Sequence, residues 1–152
     1  MPRVLIGLGD PMTLEARNLI QQLDRYLTEL YPRESNHLLP IEMLCQPNVT
    51  FLIASVDDAI AGCGAFLNQG TYAEIKRLFV SPEYRGLKLG RSILNELEAR
   101  SRSQDLKLAR LETGISQPEA IQLFERSGYR RCLPFGEYLS DPLSIFMEKP
   151  LG

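Results

Sequence analysis

The sequence predicts an α+β (mixed α/β) protein: one layer of β-sheet with helices packed against it. Three observations predict this. Apolar residues recur at helical spacing from Ala16 to Leu30 and again from Leu89 to Leu97. Between these segments lie three strand-like runs separated by turn residues, and further short strands and a helix follow. No repeat, low-complexity segment or linker interrupts the order, and 152 residues suit one core, so one domain over residues 1–152 is expected.

Val4 to Leu8 reads as a short buried strand. Asp10-Pro11 then reads as a helix start, the carboxylate capping backbone N–H groups and the proline tolerated in the first turn. Ala16, Leu19, Ile20, Leu23, Leu27 and Leu30 carry one amphipathic helix to about Tyr31, and Pro32 ends it. Pro32 to Pro47 is mixed, with a short helix expected from Leu38 to Leu44. Thr50 to Val56 and Ala59 to Leu67 flank the hairpin turn Asp57-Asp58, and Tyr72 to Val80 follows the turn Asn68-Gln69-Gly70. Leu89, Ile93, Leu94 and Leu97 mark a second helix ending near Ser103. Leu108 to Glu112 is a strand, and Pro118 to Ser127 is a helix stopped at Gly128. Tyr129 to Leu133 and Ser144 to Glu148 are the last strands.

Composition excludes several function classes. Net charge is -2, with no Lys/Arg block, so nucleic acid is not an expected partner. Cys45, Cys63 and Cys132 are scattered and odd in number, which points away from a disulfide framework and toward a reducing, cytoplasmic setting. His37 is the sole histidine and no ligand pair has zinc spacing, so no metal site is expected. Val4 to Leu8 is too short for a signal-peptide core, and no run approaches the ~20 apolar residues of a membrane span.

One segment carries recognisable chemistry. Between the strand ending at Val80 and the helix starting near Gly90 lies a turn with Arg85, Gly86, Lys88, Gly90 and Arg91. A helix start presents unpaired N–H groups and a positive dipole end, glycines allow close backbone approach, and the cations add charge. Such a turn suits a phosphate. Taken alone it is equally compatible with a solvated basic turn. It is not a P-loop, because the residue after Gly90 is Arg91 rather than a Lys-Ser/Thr pair. Gly7-Leu8-Gly9 begins like a dinucleotide fingerprint, but Met12 occupies the third glycine position.

The run V-S-P-E-Y-R-G-L-K-L-G, from Val80 to Gly90, is similar to the signature V-x-P-x-x-R-G-x-G-x-[GA] of GNAT-superfamily N-acetyltransferases. Downstream, L-E-T and then Q-P-E-A-I-x-L-F-E-R-S-G-Y resemble that family's N-x-x-A-x-x-L-Y-x-x-x-G-[FY]. Order and spacing agree from Val4 to Glu148. Y-P-R-E-S-N-H-L-L together with P-F-G-E-Y-x-x-D-P-L-S also resembles a bacterial branch of acetyltransferases whose substrates are poorly defined. The resemblance implies a central, mostly antiparallel, splayed β-sheet of about six to seven strands flanked by helices. It implies acetyl-coenzyme A as co-substrate, with acetyl transferred to a primary amine of a small molecule or peptide by direct attack. A homodimer is a family-level expectation.

Carried over by position, the donor contacts fall on the backbone of Leu78 and Val80, on Arg85, Gly86, Leu87, Lys88, Leu89, Gly90 and Arg91, and on Gln117 and Phe124. The resemblance also implies a bulge that splays the Tyr72 to Val80 strand from the Leu108 to Glu112 strand, freeing the N–H near Leu78 for the thioester carbonyl. Glu74 aligns with the general base, Glu112 is a second candidate carboxylate, and Tyr31, Arg33, Glu34 and His37 fall in the loop that shapes the acceptor pocket. Three residues depart from the pattern. Lys88 stands at the signature's middle glycine, a substitution the turn accommodates if that position needs no positive φ. Gln117 replaces the Asn that bonds the pantetheine arm, keeping the amide at longer reach. Phe124 replaces the Tyr that protonates the leaving thiolate, and Tyr138 is the candidate replacement. Two rival readings stay open: a non-catalytic acyl-coenzyme-A-binding regulatory module, favoured by Phe124, and a nucleotide-binding protein using the same turn.

Overall fold

Seven strands align in the order β1-β2-β3-β4-β5-β7-β6 in the computed structural model, which describes residues 2–30 and 40–152. The strands are β1 Val4–Leu8, β2 Val49–Val56, β3 Ala59–Asn68, β4 Ala73–Val80, β5 Leu108–Gly114, β6 Arg130–Arg131 and β7 Ser144–Pro150. Three α-helices, α1 Leu14–Leu30, α2 Leu89–Ser103 and α3 Pro118–Arg126, complete the α+β architecture. All neighbours are antiparallel except β4 and β5. None of the described helices is long and apolar enough to cross a membrane.

Alternation along the strands explains the two-sided core. In β2, Leu52 and Ala54 pack with Ile93, Leu94 and Leu97 of α2 and Phe124 of α3, while Phe51 packs with Ala16, Leu19, Ile20 and Leu23 of α1. Helices α2 and α3 therefore cover one face and α1 the other. Gly64 lets α2 press close, since a Cβ there would stand 2.8 Å from Ile93 Cγ2. Asp57 and Asp58 both take positive φ (49° and 70°), the conformation a tight two-residue hairpin demands.

Local details correct the sequence reading in four places. Strand β1 forms as expected but is not buried: it is the edge of the sheet, and Leu5 and Leu8 stand exposed. Helix α1 starts at Leu14, not at Asp10-Pro11: Thr13 Oγ1 accepts the Ala16 N–H at 3.3 Å, while Asp10 accepts from Met12 in a preceding turn. The helix expected from Leu38 is a 3-10 turn over Ile41–Cys45, and residues 38 and 39 lie outside the described residues. The strand expected from Tyr129 to Leu133 shortens to Arg130–Arg131.

A bulge in β4 shapes everything that follows. The register with β3 passes from Ala65↔Lys76 to Cys63↔Phe79, so β4 advances three residues where β3 advances two, and Arg77 takes φ 58°. One extra residue reverses the side-chain alternation. Ile75 thus packs on the α2 face, whereas Phe79 packs on the α1 face, and Arg77 is turned toward Asp24 of α1, with which it forms an ion pair. Strand β4 pairs with β5 only at Ala73↔Ala109 and Glu74↔Arg110 and then diverges.

Candidate active site

Where β4 leaves β5 a cavity of about 680 Å³ opens, within the range of small-molecule sites. Leu78, Phe79 and Val80 form one wall, the turn 84–91 the floor, and the start of α3 from Gln117 to Phe124 the opposite wall. The turn holds two residues in the left-handed region, Gly86 at φ 97° and Lys88 at φ 59°. Lys88 therefore does occupy the conformation that the glycine of the signature would adopt freely, and the condition under which its substitution would cost nothing is not met. Lys88 is also the N-cap of α2, with no side-chain cap bond. The helical ladder begins with Ser92 N–H to Lys88 O at 3.2 Å, so the N–H groups of residues 89–91 precede it at the cavity floor.

Most of the sequence-selected donor residues meet in this cavity: Leu78, Val80, Arg85, Gly86, Lys88, Leu89, Gly90, Arg91, Gln117 and Phe124. Leu87 does not line it. Its side chain is exposed, because the positive-φ residues on either side turn the chain outward there. Gln117 is the N-cap of α3, and Phe124 is buried edge-on against Tyr129 with ring centroids 5.8 Å apart. Arg85 leans back over the mouth, its Nε–H reaching Val80 O at 3.4 Å and its guanidinium standing 3.7 Å from Glu119. Leu23 and Tyr26 of α1 complete the lining, and sequence reasoning missed both. Helical period assigned Leu23 to a core stripe and left Tyr26 outside it, with no signal of what α1 would face.

A second cavity, about 810 Å³, lies against the part of β4 that precedes the bulge. Glu74, only 5% exposed, is its acidic centre. Its carboxylate accepts from the Tyr138 hydroxyl at 2.7 Å and from Gln69 Nε2 at 3.2 Å, and lies 3.5 Å from Lys76 Nζ. Lys76 in turn donates to the Tyr138 oxygen. Tyr138 is held edge-on by Phe135 and Phe146, at centroid distances of 5.3 Å and 5.4 Å. Burial, then the charge and hydrogen bond of Glu74, push its phenol well above the ordinary tyrosine value of 10.0. Tyr138 is thus a proton-keeping donor to Glu74 in the second cavity and does not line the first with Phe124.

Glu112 accepts from Ser144 Oγ at 2.8 Å and adds a smaller upward push on Tyr138. Arg110 pairs with Glu148 at 3.1 Å and stacks over Tyr72. Lys76, Gln69 and Tyr72 are second-cavity residues that sequence reasoning passed over. Two-residue spacing from Glu74 placed Tyr72 and Lys76 on its side of the strand, and that was the available signal. Tyr31, Arg33, Glu34 and His37 lie outside the described residues.

Comparison with known proteins identifies the family and the fold. The model of the acetyltransferase (GNAT) family matches residues 16–129. A protein of Azospirillum brasilense named IAA acetyltransferase is 44% identical over 99% of this chain and 100% of its own length. A candidate acyl-CoA N-acyltransferase from Klebsiella pneumoniae has a crystal structure that superposes with a TM-score of 0.83 at 36% identity, covering 98% of each chain. The fold is shared more distantly by a PaiA N-acetyltransferase of Thermoplasma acidophilum, solved in complex with coenzyme A, at TM-score 0.75 and 18% identity over 97% of this chain and 98% of that one.

Proposed function

Because this chain belongs to the acetyltransferase (GNAT) family, we propose that it transfers an acyl group, acetyl foremost, from coenzyme A to a primary amine of a small molecule or peptide. Residues 1–152 would act as one cytoplasmic catalytic domain. The observation that carries the proposal is that a single strand, β4, walls both cavities: Leu78 to Val80 face one, Glu74 and Lys76 the other, and the bulge at Arg77 separates them.

In the first cavity the chain's own groups fit an anionic, elongated donor. The N–H groups of residues 89–91 and the positive end of α2 suit a pyrophosphate, with Arg85, Lys88 and Arg91 adding charge. Gln117 offers an amide to the pantetheine arm. The β3 register skips Leu78, which supports its N–H as the donor to the carbonyl oxygen on which negative charge develops.

In the second cavity Glu74 is positioned to take the proton that an ammonium must lose before it can attack. Tyr138 and Lys76 fix the carboxylate; Tyr138 keeps its own proton at neutral pH, because its titration lies far above 7. Departure of the thiolate needs no acid in this scheme, since a thiol with pKa near 8.5 leaves tolerably as its anion.

Calorimetry with acetyl-coenzyme A should show binding, and thiol release should follow with a suitable amine. The acceptor panel should include IAA, after which the Azospirillum relative is named. Absence of binding at millimolar donor would sink the reading. One observation favours a second reading: Phe124 puts no hydroxyl into the donor cavity. Tight donor binding with no turnover on any acceptor would support a non-catalytic acyl-coenzyme-A-binding module.

A further inference from the structure

The peptide between Arg77 and Leu78 is held from two sides. Strand β4 sets both residues opposite Gly64 of β3, and Arg77 takes the left-handed φ of 58° that disfavours any residue with a Cβ. Contacts outside the strand must therefore stabilise this backbone, and two do. On the α1 face the Arg77 guanidinium, 4% exposed, forms its ion pair with Asp24. At the main chain the fully buried Cys63 thiol donates to Arg77 O at 3.3 Å. Burial pushes that thiol up to about 12, so it keeps its proton and stays a donor at neutral pH. The thiol fixes more than a carbonyl. Arg77 C=O and Leu78 N–H belong to one planar trans peptide and point in opposite directions. With the oxygen drawn to Cys63, the Leu78 N–H points away from it. Strand β4 has parted from β5 after Glu74, and Leu78 lines the donor cavity that opens there. Leu23 and Tyr26, on the same turn of α1 as Asp24, line it too, so the ion pair stands beside the donor cavity.

We propose that Asp24 and Cys63 are positioning residues for acyl transfer, holding the Arg77–Leu78 peptide so that the Leu78 N–H is aimed at the thioester carbonyl oxygen. The proposal rests on the acyl-transfer reading above and adds two residues to it, neither of which lines a cavity. In the reaction the amine nitrogen bonds the carbonyl carbon and the π pair moves onto oxygen. That pair returns as the C–S bond breaks, the thiolate leaving with the bonding electrons and the nitrogen's surplus proton following it. An N–H already aligned on the oxygen stabilises the transient charge without reorganising. A peptide free to rock about its flanking bonds would be aligned for only part of the time. The ion pair acts on the Arg77 side chain and the thiol on its carbonyl, so each restrains the same peptide through a different atom.

Steady-state thiol release, donor calorimetry and the nuclear magnetic resonance of the Leu78 amide, all on the full chain, test this together. In the native chain acetyl-coenzyme A should move the Leu78 amide proton downfield of its position with coenzyme A alone, because only the thioester supplies the carbonyl. Asp24→Asn and Cys63→Ala should each lower kcat by about tenfold or more, short of the ~10²- to 10³-fold loss that follows removal of an oxyanion donor outright. Acceptor KM and coenzyme A affinity should stay unchanged, and the downfield shift should shrink. Asp24→Glu and Cys63→Ser, which keep a carboxylate and a hydrogen-bond donor, should restore most of kcat and of the shift. Far-ultraviolet circular dichroism at the assay temperature confirms that each variant is folded, and the amide shift reports on folded molecules alone. Absence of turnover in a native chain that shows the shift would sink the acyl-transfer reading only, and loss of the shift in the variants would still support the held peptide. No thioester-dependent shift in the native chain, an undiminished shift and kcat in both Asp24→Asn and Cys63→Ala, or a kcat that falls in step with coenzyme A affinity would each overturn the proposal.

Discussion

At the scale of single residues, Glu74 and Lys88 carry the sharpest expectations. Glu74→Gln keeps the hydrogen-bonding shape of the side chain but removes the proton acceptor, so kcat should fall by about 10²- to 10⁴-fold. Donor affinity should be unchanged, because Glu74 lies in the second cavity and the donor turn in the first. Steady-state kinetics beside donor calorimetry would separate the two, and equal loss of both would contradict the assignment. Lys88 holds a left-handed conformation that costs a residue with a side chain roughly 1–2 kcal/mol. Lys88→Gly should therefore raise the unfolding free energy by about 1 kcal/mol in urea, after the entropy a glycine adds to the unfolded chain. It should also weaken donor binding, most visibly at low salt, since one cation leaves the turn.

At the scale of elements, the β4 bulge and α1 depend on each other. The extra residue directs the Arg77 guanidinium, only 4% exposed, onto Asp24, and the Cys63 thiol donates to Arg77 O at 3.3 Å across the same strand pair. Asp24→Asn should destabilise the fold by about 2 kcal/mol in denaturant titration. That is less than the ~3–5 kcal/mol of a fully buried pair, because Asp24 keeps 34% of its side chain in water. A neutral result would mean that the bulge is set by the sheet alone. The donor turn was legible from sequence because everything it needs is local: a strand end, glycines, cations and a helix start within twelve residues, Val80 to Arg91. Glu74 was legible as a candidate, but its environment was not. Tyr138, 64 residues from Glu74 along the chain, meets it only when the loop 136–141 folds back over β4.

At the scale of the molecule, three buried groups titrate above their ordinary values. Burial pushes the Cys63 thiol from 9.0 up to about 12, and burial with a neighbouring glutamate pushes the phenols of Tyr129 and Tyr138 upward from 10.0. Each favours its protonated form more in the folded chain than in the unfolded one. Their contribution is complete below the unfolded values and is lost as pH rises through and beyond them. Stability should therefore decline from about pH 9 upward, and Tyr129→Phe should flatten that decline. Denaturation midpoints measured across this range would show it, and a midpoint that stays level or rises would refute it.

The sequence by itself determined the order and kind of the elements, the anion-binding turn, and the family to which the chain belongs. Periodicity, caps, glycines and a short motif are all interactions between near neighbours. Tertiary structure alone decided which residues share a cavity. The β4 bulge reverses the side-chain alternation, so Phe79 leaves the face of Ile75 and Arg77 reaches α1. The splay from β5 after two paired residues turns a strand end into a cavity wall. Both follow from pairing between distant segments, whose register is fixed only when the whole sheet closes.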